Sequence, residues 1–201
     1  AAMVDRMDWG VGQVLEKVIK LGKQDNTLVL FLSDNGGCGE YIDNTPDKEP
    51  GPVDTYTTVG APWANASNTP FRKYKVFDHE GGISTPLIAY WPNVIEPGSI
   101  SHQIGHVMDL LPTFVDLAET DYPSYYNGND ILPVAGKSLA PIFEGKERPG
   151  YNSLFWELDG CRAVRKDRWK AVSLGPERQH VGHHIPVGHE GWELYDMEAD
   201  R

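Results

Sequence analysis

A seven-residue run, Thr27 to Ser33, restricts the fold of this chain more than any other feature. Its residues put apolar side chains on both faces of an extended segment, a pattern typical of a central strand buried on both sides. A helical pattern precedes it, because apolar residues recur at steps of three and four between Val4 and Val18. Gly22 is the candidate C-terminal cap. A helix, a short turn and a buried strand form the repeating unit of α/β domains.

The rest of the chain extends this pattern and then departs from it. Residues 86–91 are predicted to form a second buried strand, and residues 106–119 a helix that Pro112 could kink. The segments 36–70 and 121–136 read as loops, and Glu80 to Gly82 as a turn. From about residue 150, short alternating runs are separated by the hairpin signals Asp159-Gly160 and Lys166-Asp167. We therefore predict an α/β domain over residues 1–148 and a small antiparallel β subdomain over residues 149–201.

Composition excludes several classes of function. The 201 residues are enough for one domain with a small appendage. Because 29 acidic residues oppose 18 basic ones, the formal charge is -11, which argues against binding to nucleic acid or anionic membranes. The longest strongly apolar run, Leu28 to Leu32, is too short to span a membrane. Two cysteines, Cys38 and Cys161, are too few for a disulfide framework.

The segment Asp34-Asn35-Gly36-Gly37 directly follows the first predicted strand. In open α/β sheets, ligands bind beyond the carboxyl ends of the strands. A carboxylate next to an amide oxygen supplies the hard donors that Ca²⁺ or Mg²⁺ prefer, and glycines allow close approach of the backbone. The alternative is an ordinary Asp-Asn-Gly turn. Two ligands do not complete a metal site, so further ligands would have to come from elsewhere.

A basic cluster, Arg72 to Lys75, stands out in this acidic chain and precedes Asp78-His79-Glu80-Gly81-Gly82. Near a divalent cation, Lys75 could neutralise an anionic group that is being transferred; the alternative is a solvated basic loop. His79 is a candidate acid for the leaving group, or the donor of a structural hydrogen bond.

Taken in order, several stretches of this chain resemble the C-terminal portion of a type I sulfatase, from the arylsulfatase-like branch of the alkaline phosphatase superfamily. The similarity covers nearly the whole chain. Its stretches are Ala2 to Leu15, Asp25 to Gly36, Trp63 to Ile88, His106 to Phe114, Gly136 to Leu139, Arg162 to Lys170 and Trp192 to Asp200.

The resemblance implies a fold, an activity and roles for individual residues. The fold would be the C-terminal part of an alkaline phosphatase-like α/β sandwich followed by a small antiparallel sheet. The activity would be hydrolysis of a carbohydrate or aryl sulfate ester. Asp34 and Asn35 would bind Ca²⁺, with Mg²⁺ as an alternative, and Lys75 would contact the sulfate group. The family's export implies a periplasmic or extracellular location.

The family nucleophile is a formylglycine made within a Cys-x-Pro-x-Arg motif near the start of full-length members. Cys161-Arg162-Ala163-Val164-Arg165 has Cys and Arg at this spacing, but Ala replaces Pro and the segment follows the metal pair. We therefore interpret Cys161 as a packed residue. The expectation is a fragment of a longer chain that is inactive alone and whose partner is the missing N-terminal part of the domain.

Two rival functions remain open at this stage: a phosphonate or phosphodiester hydrolase of the same superfamily, and a non-catalytic stand-alone domain. The secondary candidates are also open. The histidine-rich loop is expected to be solvated, Asp109 and Asp116 to form a polar helix face, His106 to be structural and Cys38 to be incidental. Three residues are candidates for a pocket floor or for loop packing, namely Trp63, Asn65 and Asn68. The histidines of that loop are His180, His183, His184 and His189.

Overall fold

A computed structural model of the chain describes residues 2–174, 178–180, 183–185 and 191–199. The helices are α1 (Ala2–Lys20), α2 (Gly60–Ser67), α3 (Glu80–Ile83), α4 (Leu110–Leu117) and α5 (Ala140–Phe143). The strands are β1 (Val29–Leu32), β2 (Leu87–Tyr90), β3 (Tyr125–Tyr126), β4 (Asn129–Asp130), β5 (Leu154–Leu158), β6 (Cys161–Lys166), β7 (Trp169–Ser173), β8 (Arg178–His180), β9 (His183–Ile185) and β10 (Trp192–Asp196). None of the described helices combines the length and apolarity needed to cross a membrane.

The chain divides into two compact units. One contains residues 1–31 and 87–150, and the other contains residues 32–86 and 151–201. The domain boundary predicted at residues 148 and 149 stays a prediction. Short elements also occur inside segments that were predicted to be loops or turns, namely α2, α3 and the β3–β4 hairpin.

The first helix is confirmed together with its cap. Gly22 has a φ of 62°, its amide donates to Ile19, and the Lys23 amide donates to Val18. These two bonds form a Schellman motif, which glycine favours because it has no Cβ to resist the left-handed conformation. The apolar stripe, however, has no buried residue among those described.

The first two strands are confirmed, but their predicted burial is wrong for the described part of the chain. Strands β1 and β2 pair with each other in a two-stranded sheet. Phe31 on β1 is exposed, as are Leu87, Ile88 and Tyr90 on β2. Burial on both faces requires layers on both sides of a sheet, and a two-stranded sheet does not supply them.

The predicted helix at residues 106–119 is observed as a short 3₁₀ turn at Val107–Asp109 followed by α4. Pro112 lies in the first turn of α4, where a missing amide hydrogen is tolerated. His106 caps the turn, since its Nδ1 accepts a hydrogen bond from the Met108 amide, which confirms a structural role. The interpretation of Asp109 as part of a polar face is wrong, because Asp109 is fully buried.

Asp109 is buried because charged and polar partners surround it. Arg148 Nη2 lies 2.7 Å from its Oδ2, and the backbone amides of His106 and Lys137 each donate to the same carboxylate at 2.9 Å. Thr113, also fully buried, donates to the Asp109 carbonyl at 2.6 Å. Buried charge is tolerated when it is paired and fully hydrogen-bonded. A buried polar cluster therefore surrounds Asp109, where an exposed polar helix face was expected.

The predicted antiparallel sheet is confirmed and has the order β10-β7-β6-β5. Strands β5 and β6 pair around Asp159 and Gly160, which both have positive φ angles, of 51° and 82°. This is the backbone that a two-residue type I′ hairpin requires. The next hairpin turns at Asp167 and Arg168, one residue later than predicted.

One face of this sheet carries charged side chains among its packed residues. Residue Lys170 pairs with Tyr195, and Val172 pairs with Glu193. Because side chains alternate between faces along a strand, these four residues lie on the same face, where Val172 and Lys170 are buried.

Removing the cation from the buried pair should strongly destabilise the protein. Arg148→Met leaves the Asp109 carboxylate buried without its ion partner, and we expect the free energy of unfolding to fall by about 3–5 kcal/mol, measured by urea denaturation. The matched control is Lys146→Met, which removes an exposed ion pair with Glu144 and should change stability by less than about 1 kcal/mol. Equal effects of the two substitutions would contradict the assignment.

Candidate functional site

The loop that carries the predicted metal ligands begins just after β1. Within it, Asn35 Nδ2 donates to Asp34 Oδ1 at 2.6 Å, and Ser33 Oγ donates to the Asn35 carbonyl at 2.8 Å. The Asp34 side chain is exposed and Asn35 is half-buried. Because the amide nitrogen faces the carboxylate, the amide oxygen is the atom of Asn35 left to bind a cation.

The structure brings this loop together with the segment that carries Lys75. The Lys75 amide donates to the Gly37 carbonyl at 3.0 Å, and the Gly36 amide donates to the Gly82 carbonyl at 2.9 Å. Residues 34–37 and 72–83 are therefore neighbours along their backbones, although about 40 residues separate Asp34 from Lys75 in the sequence. We call residues 72–83 the lysine segment.

Asn68, which follows α2, joins the two segments through its side chain. Its Oδ1 accepts a hydrogen bond from the Gly37 amide at 2.9 Å, and its Nδ2 donates to the Lys73 carbonyl at 3.2 Å. Asn68 is thus a loop-packing residue, one of the two roles expected for it. Of the other candidates for a pocket floor, Trp63 is exposed, and Asn65 Nδ2 donates to the Ala61 carbonyl within α2.

Glycines allow this close packing. A Cβ added to Gly36 would lie 1.8 Å from the Gly81 carbonyl oxygen, and one added to Gly82 would lie 1.9 Å from that of Phe77. A Cβ on Gly81 would meet the Lys73 carbonyl oxygen at 2.2 Å. Since each contact is with backbone rather than with a flexible side chain, no other residue fits without moving the loop.

The backbone on either side of Lys75 is strained. Lys73 has a φ of 69° and Val76 a φ of 89°. Residues with a Cβ avoid positive φ, and a β-branched residue avoids it most, at a cost of about 1–3 kcal/mol for each such residue. Such a conformation persists only where the surrounding structure holds it, and at functional sites it often fixes a side chain.

His79 is almost completely buried, with 2% of its surface exposed, and its Nε2 lies 2.8 Å from Glu193 Oε2. Burial lowers the pKa of His79, and this outweighs the opposite effect of Glu193. In the neutral ring Nε2 carries the proton and donates it to the carboxylate. This geometry matches the structural hydrogen bond that was the alternative for His79; its role as an acid stays a prediction.

The polar side chains on the sheet that bind the lysine segment were not predicted from the sequence. Arg72 Nη1 donates to both Glu193 Oε2 and the Tyr195 hydroxyl at 2.8 Å. Lys170 Nζ donates to Glu80 Oε1 at 2.7 Å. Alternation along β7 and β10 was the available signal, because it places charged Lys170 and Glu193 on the packed face. Together these strands and the lysine segment enclose a small pocket lined by Arg72, His79, Glu80, Lys170, Val172, Tyr195 and Met197.

A second acidic residue of the lysine segment lies near the buried Lys170. Asp78 is 2% exposed, and its Oδ2 has no hydrogen-bond partner in the described part of the chain. Burial raises the pKa of Asp78 to about 6, against the attraction of Lys170 and with a contribution from Glu157. Burial also lowers the pKa of Lys170, whose ammonium lies 5.2 Å from the Trp156 ring centre.

The two cysteines and the histidine-rich loop were also singled out in the sequence predictions. Cys161 is buried in β6 and its thiol donates to the Leu174 carbonyl at 3.2 Å, which agrees with a packed residue. Cys38 is a half-buried free thiol. The backbones of His180, His183 and His184 lie in β8 and β9, whereas their side chains and all of His189 lie outside the described residues.

The Asp78 carboxyl should titrate near neutrality. The pKa of Asp78 in the folded protein is about 6, above the ordinary aspartate value. At a pH between these two pKa values, the native state binds a proton that the unfolded state has lost. Ionisation of Asp78 therefore reduces stability as the pH rises through 6. A ¹³C NMR titration of the side-chain carboxyls should show an inflection near pH 6 that is absent in Asp78→Asn. An Asp78 inflection near pH 4 would contradict the assignment.

Two family models match the chain. The model described as Sulfatase matches residues 1–120, and the model described as N-sulphoglucosamine sulphohydrolase, C-terminal, matches residues 71–201. An uncharacterized sulfatase of Schizosaccharomyces pombe is 34% identical over 218 residues, which cover 100% of this chain and 38% of that protein. The arylsulfatase of Klebsiella aerogenes is 32% identical, and the match covers 74% of this chain and 35% of that protein. Human N-acetylgalactosamine-6-sulfatase is 34% identical, and the match covers 88% of this chain and 28% of that protein.

Solved structures agree on the fold. The crystal structure of Ps i-CgsB with k-i-k-neocarrahexaose matches with a TM-score of 0.62 at 24% identity, covering 95% of this chain and 34% of that one. BT4656 in complex with its substrate D-glucosamine-2-N,6-O-disulfate matches with a TM-score of 0.59 at 21% identity. This match covers 98% of this chain and 33% of that one. The fold is thus mixed α/β of the alkaline phosphatase type, as predicted, and the chain spans roughly a third of the length of these relatives. Two family models that together match its whole length place this chain in the sulfatase family.

Proposed function

We propose that the protein to which this chain belongs hydrolyses sulfate esters, with a sulfated carbohydrate or an aryl sulfate as substrate. Family membership supports the reaction class. The observation that carries the proposal for this chain is the pairing of the Asp34 loop with the lysine segment, through the Lys75 amide and the Gly37 carbonyl at 3.0 Å. A loop with oxygen donors for a cation thus lies next to a segment with a basic side chain. In our proposal, the cation and the ammonium group would together bind the sulfate.

In this proposal Asp34 and Asn35 contribute two ligands to a divalent cation, Ca²⁺ or Mg²⁺. Their donors fit in kind, because a carboxylate and an amide oxygen are hard ligands. The part of the chain that the structure describes contains no cluster of three or more acidic, histidine or cysteine side chains able to hold a metal, so the remaining ligands would come from elsewhere. When bound, such a cation polarises a sulfate oxygen and stabilises negative charge.

Lys75 would act as the second positive group at the sulfate. An ammonium next to the transferred group balances the charge that moves to the leaving oxygen, and it is most effective when its position is fixed before the reaction. The strained backbone at Lys73 and Val76 and the bond to Gly37 both restrict where Lys75 can lie. His79 is proposed as a catalytic acid only if its hydrogen bond to Glu193 opens, since that bond now occupies Nε2.

The family nucleophile is a formylglycine, and the 201 residues do not contain the Cys-x-Pro-x-Arg motif that yields it. We therefore propose that the 201-residue chain alone has no turnover, and that it works together with the segment that supplies the nucleophile and the other metal ligands. A periplasmic or extracellular location also remains a proposal based on the family.

Replacing Lys75 tests the sulfate contact. In the protein encoded in full, Lys75→Met should lower kcat/KM for an aryl sulfate by about 100-fold or more, as loss of one preorganised charge typically does. The matched control is Lys48→Met, which removes an exposed ion pair with Asp54. We expect it to change kcat/KM by less than about threefold.

The same assay separates the rival functions. A phosphonate monoester or a phosphodiester hydrolysed faster than the aryl sulfate would favour the hydrolase of the other reaction class. No turnover of any of these esters by the protein encoded in full would favour the non-catalytic domain.

Replacing Asp34 tests the cation site. Asp34→Asn in the protein encoded in full should weaken Ca²⁺ binding by about tenfold or more, because a carboxylate ligand becomes a neutral amide. The control Asp47→Asn changes an exposed residue and should leave Ca²⁺ affinity unchanged. Isothermal titration calorimetry measures both, and equal affinity of Asp34→Asn and the unmodified protein would contradict the assignment.

A further inference from the structure

We propose that Glu193 is a positioning residue for Lys75, acting through Arg72 and His79. The inference rests on the proposed function, because it gives Glu193 a role in holding the group that would contact sulfate. Glu193 lies on β10, far from Lys75 in sequence, and it reaches the lysine segment only because the C-terminal sheet packs on that segment.

One oxygen of Glu193 receives three hydrogen bonds. Its Oε2 lies 2.8 Å from His79 Nε2 and accepts from Arg72 Nη1 at 2.8 Å and from the Tyr195 hydroxyl at 2.5 Å. The Tyr195 hydroxyl also accepts from Arg72 at 2.8 Å. Such a closed set fixes the direction of each group more strongly than a single ion pair, since charged hydrogen bonds reinforce one another.

The two partners of Glu193 on the lysine segment lie on either side of Lys75. Arg72 is three residues before Lys75, and His79 is four residues after it. The Gly81 amide also donates to the Arg72 carbonyl at 3.0 Å, which closes the segment into a loop. Glu193 thus holds both ends of the loop on which Lys75 stands.

The intervening backbone needs such support. Lys73 and Val76, with φ angles of 69° and 89°, adopt a conformation that their side chains disfavour. Without outside contacts the loop would relax, and the Lys75 ammonium would move. A second contact from the neighbouring strand, Lys170 to Glu80 at 2.7 Å, holds the following helical turn, α3, to the same sheet.

Glu193 is suited to this role because it stays charged. Burial raises the pKa of its carboxyl, but the hydrogen bonds from Tyr195 and His79 and the charge of Arg72 outweigh this and lower the pKa to about 2. The alternative is that these contacts merely stabilise the fold. The two possibilities differ in one respect: a positioning residue loses its effect on catalysis when Lys75 is absent.

A double-mutant cycle in the protein encoded in full tests this difference. Glu193→Gln keeps the size of the side chain and removes its charge. With Lys75 present, we expect it to lower kcat/KM for an aryl sulfate by about tenfold or more, since a displacement near 1 Å costs up to about 100-fold. In the Lys75→Met background the further loss should be less than about threefold, because coupled residues are not additive.

The matched control is Glu198→Gln, which removes an exposed carboxylate 3.6 Å from Arg168 and should change kcat/KM by less than about twofold in either background. Equal losses from Glu193→Gln with and without Lys75 would overturn the inference and leave the proposed function standing. No loss from Lys75→Met alone would overturn both.

A milder variant covers the case in which Glu193→Gln does not fold, as judged by its thermal transition. Tyr195→Phe removes one of the three donors to Glu193 and keeps the ring. We expect a smaller loss of kcat/KM that again disappears in the Lys75→Met background. The inference would be overturned if Tyr195→Phe folds and leaves kcat/KM unchanged, and if Glu193→Gln either does not fold or has the same effect with and without Lys75.

Discussion

The close contact between the loop after β1 and the lysine segment is the constraint on which the site depends. A Cβ on Gly36 would lie 1.8 Å from the Gly81 carbonyl oxygen, so the two backbones touch with no room for a side chain. This contact includes a hydrogen bond from the Lys75 amide to the Gly37 carbonyl. The loop that carries Asp34 and Asn35 and the segment that carries Lys75 are thereby neighbours through backbone packing.

The C-terminal sheet supports this arrangement through polar rather than apolar contacts. Lys170 and Glu193 reach the lysine segment from a face that also carries Val172. Ion pairs in such positions offer little net stability relative to apolar residues, because desolvation offsets their attraction. They do fix direction, since each hydrogen bond has a preferred geometry. A sheet that holds the lysine segment by charge therefore favours precise placement over maximal stability.

Much of the fold followed from local patterns in the sequence. The Schellman cap at Gly22 and the hairpin at Asp159-Gly160 were predictable, because both depend on residues that accept positive φ. Burial was less predictable: the apolar strand β1 is partly exposed, while Asp109 is fully buried by Arg148, a residue 39 positions away. No periodicity in the sequence reports a partner at that distance.

The candidate site divides in the same way. Asp34, Asn35 and Lys75 were recognisable from their motifs, and so was their order along the chain. The contact through Asn68 and the hydrogen bonds of Glu193 were not, because they join segments that only the tertiary fold brings together. Alternation along β10 could have indicated that Glu193 faces inward, but it could not identify His79 and Arg72 as the groups that Glu193 meets.

A crystal structure of the full-length protein with Ca²⁺ and sulfate bound would show whether these groups converge on one anion. We expect the Lys75 ammonium within about 3 Å of a sulfate oxygen, and oxygens of Asp34 and Asn35 about 2.3–2.6 Å from the cation. Sulfate bound more than about 10 Å from Lys75, or a cation held without Asp34, would contradict the convergence of these groups on one anion.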